Sequence, residues 1–198
     1  MKYLFEQSST PLKQLKDNRL SGVLFVFDRI NKNGRIYPRS EALAAFNSLK
    51  RQLDSKAKIV GTLDHPSEQD SDKLTNASHV LEAVSWDEQN KCVRGIVRLL
   101  PTRAGNDALA LVKSGIPVGI STRGTGNLSR KGTVLEVSNW KIETFDLVSN
   151  PSSNEYMSLC ESAKNSDMGY DSWLEEKLLE SMLTQKGVSE ADIQRILG

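Results

Sequence analysis

The chain is short of the residues that would tie it to a metal, a membrane or a disulfide framework. It has only two cysteines, Cys92 and Cys160. They are too few for a set of bridges and lack the C-x-x-C spacing of a metal site, so a reducing compartment is expected and both thiols read as small apolar groups. Histidine is equally scarce, with His65 and His79 alone. Without an H-E-x-x-H helix a catalytic zinc would have to be held largely by carboxylates, and neither metal nor cofactor is expected. Long apolar runs are missing as well. The run Val23–Phe27 is far too short to cross a bilayer and follows a mixed polar stretch rather than a signal-peptide pattern, so the protein is expected to be soluble and unexported. Nor does either charge prevail. Lys and Arg total 26 against 25 for Asp and Glu, a net charge of +1. No basic surplus is left for a row of phosphates or an anionic lipid surface, which disfavours nucleic acid and membrane as partners.

What is present suits one domain with a buried core and a short appendage. Residues 1–20 mix Gln, Ser, Thr, Pro and Lys without sustained periodicity and read as a loosely attached N-terminal arm. A first strand, apolar on both faces, is expected over Gly22–Asp28. Asn31-Lys32-Asn33-Gly34 tolerates positive φ, and Pro38 and Ser40 precede a helix with Leu43, Phe46, Leu49 and Leu53 on one stripe. A short strand at Lys58–Leu63 runs into Asp64-His65-Pro66 and a polar loop. Ser78–Trp86 and Cys92–Leu100 form a hairpin pattern, and Thr102 can cap a helix that buries Ala108, Leu109, Leu111 and Val112 and ends at Gly115. A strand over Ile116–Thr122 is followed by Arg123-Gly124-Thr125-Gly126, read as a tight bend, and by two strands, Thr133–Trp140 and Lys141–Ser149. Beyond residue 163 two amphipathic helices, Ser172–Gln185 and Glu190–Leu197 with Ser189 as a cap, make a separable tail. Together these elements predict an α+β fold on a closed or nearly closed, mostly antiparallel sheet.

Three segments carry the side chains of a serine hydrolase, which needs a hydroxyl, a histidine to take its proton, an orienting group and N–H donors for the oxyanion. Gly119-Ile120-Ser121-Thr122-Arg123-Gly124 places a serine near the end of an apolar strand, where it is either a nucleophile or a Ser/Thr turn bonded to its own backbone. His65 at a strand exit before Pro66 has a restricted backbone, useful for a base and equally explained by a proline turn. Asp146 lies within a strand that should be buried, so it needs a partner: a histidine, or a structural salt bridge to Arg123 or Lys141. Arg123 reads either as a salt-bridged arginine or as support for a developing oxyanion. Gly124 and Gly126 lack the remaining glycines and lysine of a phosphate loop, and a strand rather than a helix follows.

Gly61-Thr62-Leu63-Asp64-His65-Pro66, Val118–Gly124 and Asp146-Leu147-Val148-Ser149-Asn150-Pro151-Ser152, in this order, resemble the prohead core proteases of T4-like phages. Asn31–Pro38 is similar to the same family's early segment, and the likeness runs from about Gly22 to Met157. The resemblance implies a β-barrel with surrounding helices, similar to the herpesvirus assembly proteases. The expected layout is an arm over residues 1–20, a protease domain over 21–162 and a helical C-terminal tail over 163–198. It implies Ser121 as nucleophile, His65 as base and Asp146 as orienter, where the herpesvirus relatives use a second histidine. Thr122, Arg123 and Gly124 would support the oxyanion. It implies scaffold, core and major capsid proteins as substrates inside the prohead, in the host cytoplasm, with self-association open. Cleavage after glutamate, with an apolar residue two positions before it and a small one following, is also implied. Val188-Ser189-Glu190-Ala191 and Leu178-Leu179-Glu180-Ser181 fit that pattern and suggest removal of the tail by self-cleavage. Val80-Leu81-Glu82-Ala83 fits too, but lies in an expected core strand. The rival from another class is a non-catalytic internal scaffold protein that keeps a protease-like fold and binds capsid subunits.

Overall fold

Between Arg19 and Ser149 β-branched and other apolar residues recur at alternating positions, and strand is the commonest structure there. The computed structural model describes residues 2–7, 12–66, 74–149, 189, 191, 192 and 195. Its strands are β1 (Lys2–Gln7), β2 (Lys13–Gln14), β3 (Arg19–Val26), β4 (Arg35–Ile36), β5 (Val60–Thr62), β6 (Ala77–Asp87), β7 (Cys92–Leu99), β8 (Val118–Lys131) and β9 (Val134–Ser149), with helices α1 (Arg39–Asp54) and α2 (Arg103–Lys113). One sheet has the order β1-β8-β9-β4 and the other β2-β3-β7-β6-β5. They are stitched together on both sides. Leu63 bridges Leu147, and the Asp64 N–H donates to the Leu147 carbonyl at 2.7 Å. Across the other seam the Leu12 N–H donates to the Val118 carbonyl at 2.9 Å. The result is a sheet-rich α+β fold curved into a partly closed barrel.

Its interior is filled by Leu20, Leu24, Phe27, Val93, Ile120, Val137, Phe145 and Leu147, all essentially inaccessible to solvent. Trp140 packs between Phe25, edge-on at 4.8 Å, and Tyr37 at 4.3 Å. Helix α1 turns Ala42, Ala45 and Leu49 to this core. Helix α2 starts at Thr102, whose hydroxyl accepts from the Gly105 N–H at 3.1 Å, and stops at Gly115 with φ +75°. The expected β6–β7 hairpin and both helices are therefore present. The chain divides into two units, Met1–Ser153 and Asn154–Gly198. In the second, Ala191 and Asp192 are helical and the Ser189 hydroxyl accepts from the Asp192 N–H at 3.2 Å. The expected helix at 172–185, Glu180, Ser181, Glu190 and Cys160 lie outside the described residues.

Three expectations are corrected. Lys2–Gln7 does not hang loosely but is an edge strand, paired antiparallel with β8 from Lys2 opposite Gly126 to Gln7 opposite Ser121. Alternation of Leu4 and Glu6 inward with Tyr3 and Phe5 outward explains why six residues suffice. Arg123-Gly124-Thr125-Gly126 is not a bend. β8 continues through it, with register shifts at Arg123/Gly124 and Thr125/Asn127. A Cβ at Gly124 would lie 2.3 Å from the Lys141 carbonyl, so this glycine permits close strand approach rather than a turn. Finally, Thr133–Trp140 and Lys141–Ser149 are one strand, and the positive φ of Asn139 (51°) is absorbed within it.

Gly61 is the tightest joint between the sheets. A Cβ there would fall 1.8 Å from the Phe145 carbonyl oxygen and 2.4 Å from the His79 ring. Because backbone on β9 cannot yield cheaply, Gly61→Ala is expected to cost about 3 kcal/mol or more by urea denaturation.

Candidate active site

The seam between β5 and β9 holds a largely buried polar cluster. Phe145 and Leu147 turn into the core, so the intervening Asp146 points to the opposite face of β9, where it is wholly buried. A buried carboxylate needs compensation for lost water, and Thr62, His65 and Arg123 supply it. Oδ1 accepts from the Thr62 N–H at 3.3 Å, the Thr62 hydroxyl at 2.9 Å and Arg123 Nη2 at 3.3 Å. Oδ2 lies 2.9 Å from His65 Nδ1 and 3.1 Å from Arg123 Nε. Burial opposes ionisation, but the His65 bond, the Arg123 charge and the Thr62 bonds outweigh it and hold Asp146 below the usual carboxylate range.

His65 reaches this carboxylate because the chain turns as it leaves β5. Asp64 adopts φ +60° and its N–H is fixed to Leu147, which swings the next residue back over β9. An ionised carboxylate only accepts, so Nδ1 is the donor, and in the neutral imidazole the lone pair is on Nε2, which has no hydrogen-bond partner among the described residues. The imidazole side chain keeps 34% exposure, unlike the carboxylate beneath it. Phe5 of β1 packs on its ring, centroids 4.5 Å apart.

Ser121 stands directly opposite Asp146 in the β8–β9 register, and therefore on the same face. Expected near the end of a strand, just before a bend, it lies instead within the 14-residue strand β8, 1% exposed. Its Oγ has no hydrogen-bond partner among the described residues, so the structure brings Ser121 beside the His65–Asp146 pair without bonding it to His65. Thr122 faces the barrel interior and donates its hydroxyl to the Leu24 carbonyl at 3.1 Å. Arg123 spends its guanidinium on Asp146, so two of the three partners considered for that carboxylate, histidine and Arg123 but not Lys141, are on it at once. Gly124 lies against β9. Ala191, fully described, is exposed.

Two residues were missed in the sequence. Thr62 supplies two of Asp146's bonds, and its place three residues before His65 at a strand exit was the available signal. Phe5 lay in a segment without periodicity. His79, by contrast, takes no part in the hydrogen bonds of this cluster. Its Nδ1 lies 2.9 Å from Ser78 Oγ and its ring bonds the Phe145 carbonyl, which ties β6 to the residue next to Asp146.

A carboxylate that holds an imidazole, with a serine opposite it on the next strand, is compatible with serine-peptidase chemistry. A sequence model of the prohead core protein serine proteases matches residues 8–167, and the chain belongs to that family. Among solved structures, the capsid assembly protease of bacteriophage T4 is similar in fold. The TM-score is 0.64 at 20% identity, over 74% of this chain and 97% of that one. No curated protein matches the chain. No helix among the described residues is long and apolar enough to cross a membrane.

The inner histidine generates a pH prediction. Burial pushes His79 down to about 4, the Asp146 charge and the Phe145 bond offsetting it only in part. Between about 6.5 and 4 the unfolded chain takes up a proton there that the folded chain refuses, so stability falls as pH drops through that window. From pH 7 to pH 5 the group should remove on the order of 2 kcal/mol, read as a shift of the urea midpoint. His79→Gln should flatten the dependence by about that amount; an unchanged slope would contradict a neutral, buried His79.

Proposed function

We propose that Ser121, His65 and Asp146 form the catalytic triad of this protease, and that it cuts scaffold, core and major capsid proteins after glutamate inside the assembling prohead. The observation that carries the assignment is the His65–Asp146 bond of 2.9 Å, with Ser121 facing the same carboxylate across β8 and β9. Asp146 fixes the imidazole with Nε2 bare. Nε2 takes the Ser121 proton as Oγ attacks the scissile carbonyl, then returns it to the leaving amine. Backbone N–H groups at Arg123 and Gly124, with Thr122 beside them, are the candidates for receiving the oxyanion. The absent Ser121–His65 bond accords with a resting site whose hydrogen bonds tighten only with substrate in place. Arg123, over the carboxylate, keeps Asp146 ionised while His65 gains and loses charge. The partly closed barrel with flanking helices accords with a herpesvirus-protease-like architecture, and on this reading the protein works within the prohead in the host cytoplasm.

Fluorophosphonate labelling followed by peptide mapping should mark Ser121. Ser121→Ala and His65→Ala should each lower peptide hydrolysis by about 10⁴-fold or more with the fold retained. Asp146→Asn should cost less activity, though it also leaves the buried Arg123 charge poorly paired and lowers stability. Full activity in purified Ser121→Ala would remove the nucleophile assignment, whereas a wild-type protein that neither labels nor hydrolyses would favour a non-catalytic scaffold protein.

The same specificity leads us to expect self-processing in the tail, between Glu190 and Ala191 first and between Glu180 and Ser181 as a second site. Intact-mass spectra of incubated protein should show loss of the tail in wild type and its retention in Ser121→Ala. Equal retention in both would exclude self-cleavage.

A further inference from the structure

The strand laid along the nucleophile's strand carries a carboxylate into a site built to receive one. Glu6 of β1 turns inward, 7% exposed, and meets four side chains of a single short segment. Arg35 Nη1 donates to its Oε1 at 2.5 Å and the Tyr37 hydroxyl to the same oxygen at 2.8 Å. Oε2 accepts from Asn33 Nδ2 at 3.0 Å and from Asn31 Nδ2. The cage is preorganised: Asn31 Oδ1 accepts from the Asn33 and Arg35 N–H groups at 3.0 Å each, and Asn33 Nδ2 also reaches the Phe5 carbonyl at 3.3 Å. Charge-assisted, planar recognition of this kind selects a carboxylate over an amide.

Nothing in the barrel's closure requires β1. Both seams between the sheets run through other residues, Leu63 and Asp64 with Leu147, and Leu12 with Val118. β1 is the outermost strand on the β8 side, and it covers the reactive cluster. Gln7 stands opposite Ser121, Phe5 lies opposite Arg123 and on the His65 ring, and Ser121 Oγ is buried without a partner among the described residues. With β1 removed, β8 would offer an open backbone edge beginning at Ser121, which is where an extended peptide adds as a strand.

We propose that the β8 edge together with the Asn31, Asn33, Arg35 and Tyr37 cage is the binding site for an extended, glutamate-bearing peptide, and that β1 fills it as a built-in competitor. This deepens the proteolytic reading and, for the identity of the incoming peptide as substrate, rests on it. The two inward residues of β1, Leu4 and Glu6, repeat the apolar-x-Glu order of the proposed processing sequences Leu178-Leu179-Glu180 and Val188-Ser189-Glu190. As part of the same chain, β1 acts at a high effective concentration, so the site stays closed until β1 is displaced.

The test uses the full chain with Ser121→Ala, so that the probe survives, and a fluorescein-labelled peptide of the sequence Lys2–Gln7. Glu6→Gln in the protein should raise peptide affinity tenfold or more by anisotropy, and Phe5→Ser, a change at a partly exposed position, should do the same if Glu6→Gln folds poorly. A peptide carrying glutamine in place of its glutamate should bind at least tenfold more weakly. With Ser121 intact, the same protein variants should be labelled faster by fluorophosphonate. Unchanged peptide affinity in both variants, or indifference to the peptide's carboxylate, overturns the proposal. Absence of labelling and hydrolysis in every protein would instead overturn the assignment of Ser121, while the anisotropy result still decides on the strand site.

Discussion

The arrangement depends on one ionised carboxylate held in a dry place. Stripped of water, Asp146 would be driven to protonate, and a protonated acid could neither fix His65 nor neutralise the buried Arg123. The fold prevents this by bringing two elements to it: β5 contributes Thr62 and the turn that carries His65, and β8 contributes Arg123. Each of these is held for reasons of packing, by the Leu63–Leu147 bridge and by the apolar neighbours Phe145, Leu147 and Ile120. Core and site are thus two faces of the same strands, and the register that buries Phe145 is the register that aims Asp146.

The barrel around this pair explains why the two histidines differ so sharply. His65 sits at a chain exit, with part of its ring in solvent and a carboxylate beneath it. His79 is enclosed between β6 and β9, against a glycine that leaves room for its ring, and stays neutral as a strut. Equal residue types take opposite roles because one is placed where charge can be exchanged with water and the other where it cannot.

Much of this was legible in the sequence. Helical periodicity with caps at Thr102 and Gly115 marked α2, alternation marked the β6–β7 hairpin, Ser121 and Asp146 stood out within apolar strands, and His65 stood out at a strand exit. What was illegible turned on features whose local signals are ambiguous. Gly124 and Gly126 look like turn residues, yet a glycine equally permits two backbones to approach, and only the partner strand decides. Asn139 with positive φ likewise marks either a strand end or a kink inside one. β1 was hidden because its worth is non-local: Leu4 and Glu6 acquire partners only from residues about thirty or more than a hundred positions away. The double pairing of Asp146 was hidden too, since nothing in one strand says whether a histidine, an arginine or both will cover its carboxylate.

If a buried carboxylate organises the site, the most direct witness is the imidazole above it. Nitrogen-15 NMR of His65 in its neutral form should find the proton on Nδ1, in a strong hydrogen bond that Asp146→Asn weakens, and Nε2 bare. A neutral His65 carrying its proton on Nε2, or an Nδ1 signal indifferent to Asp146→Asn, would contradict the account.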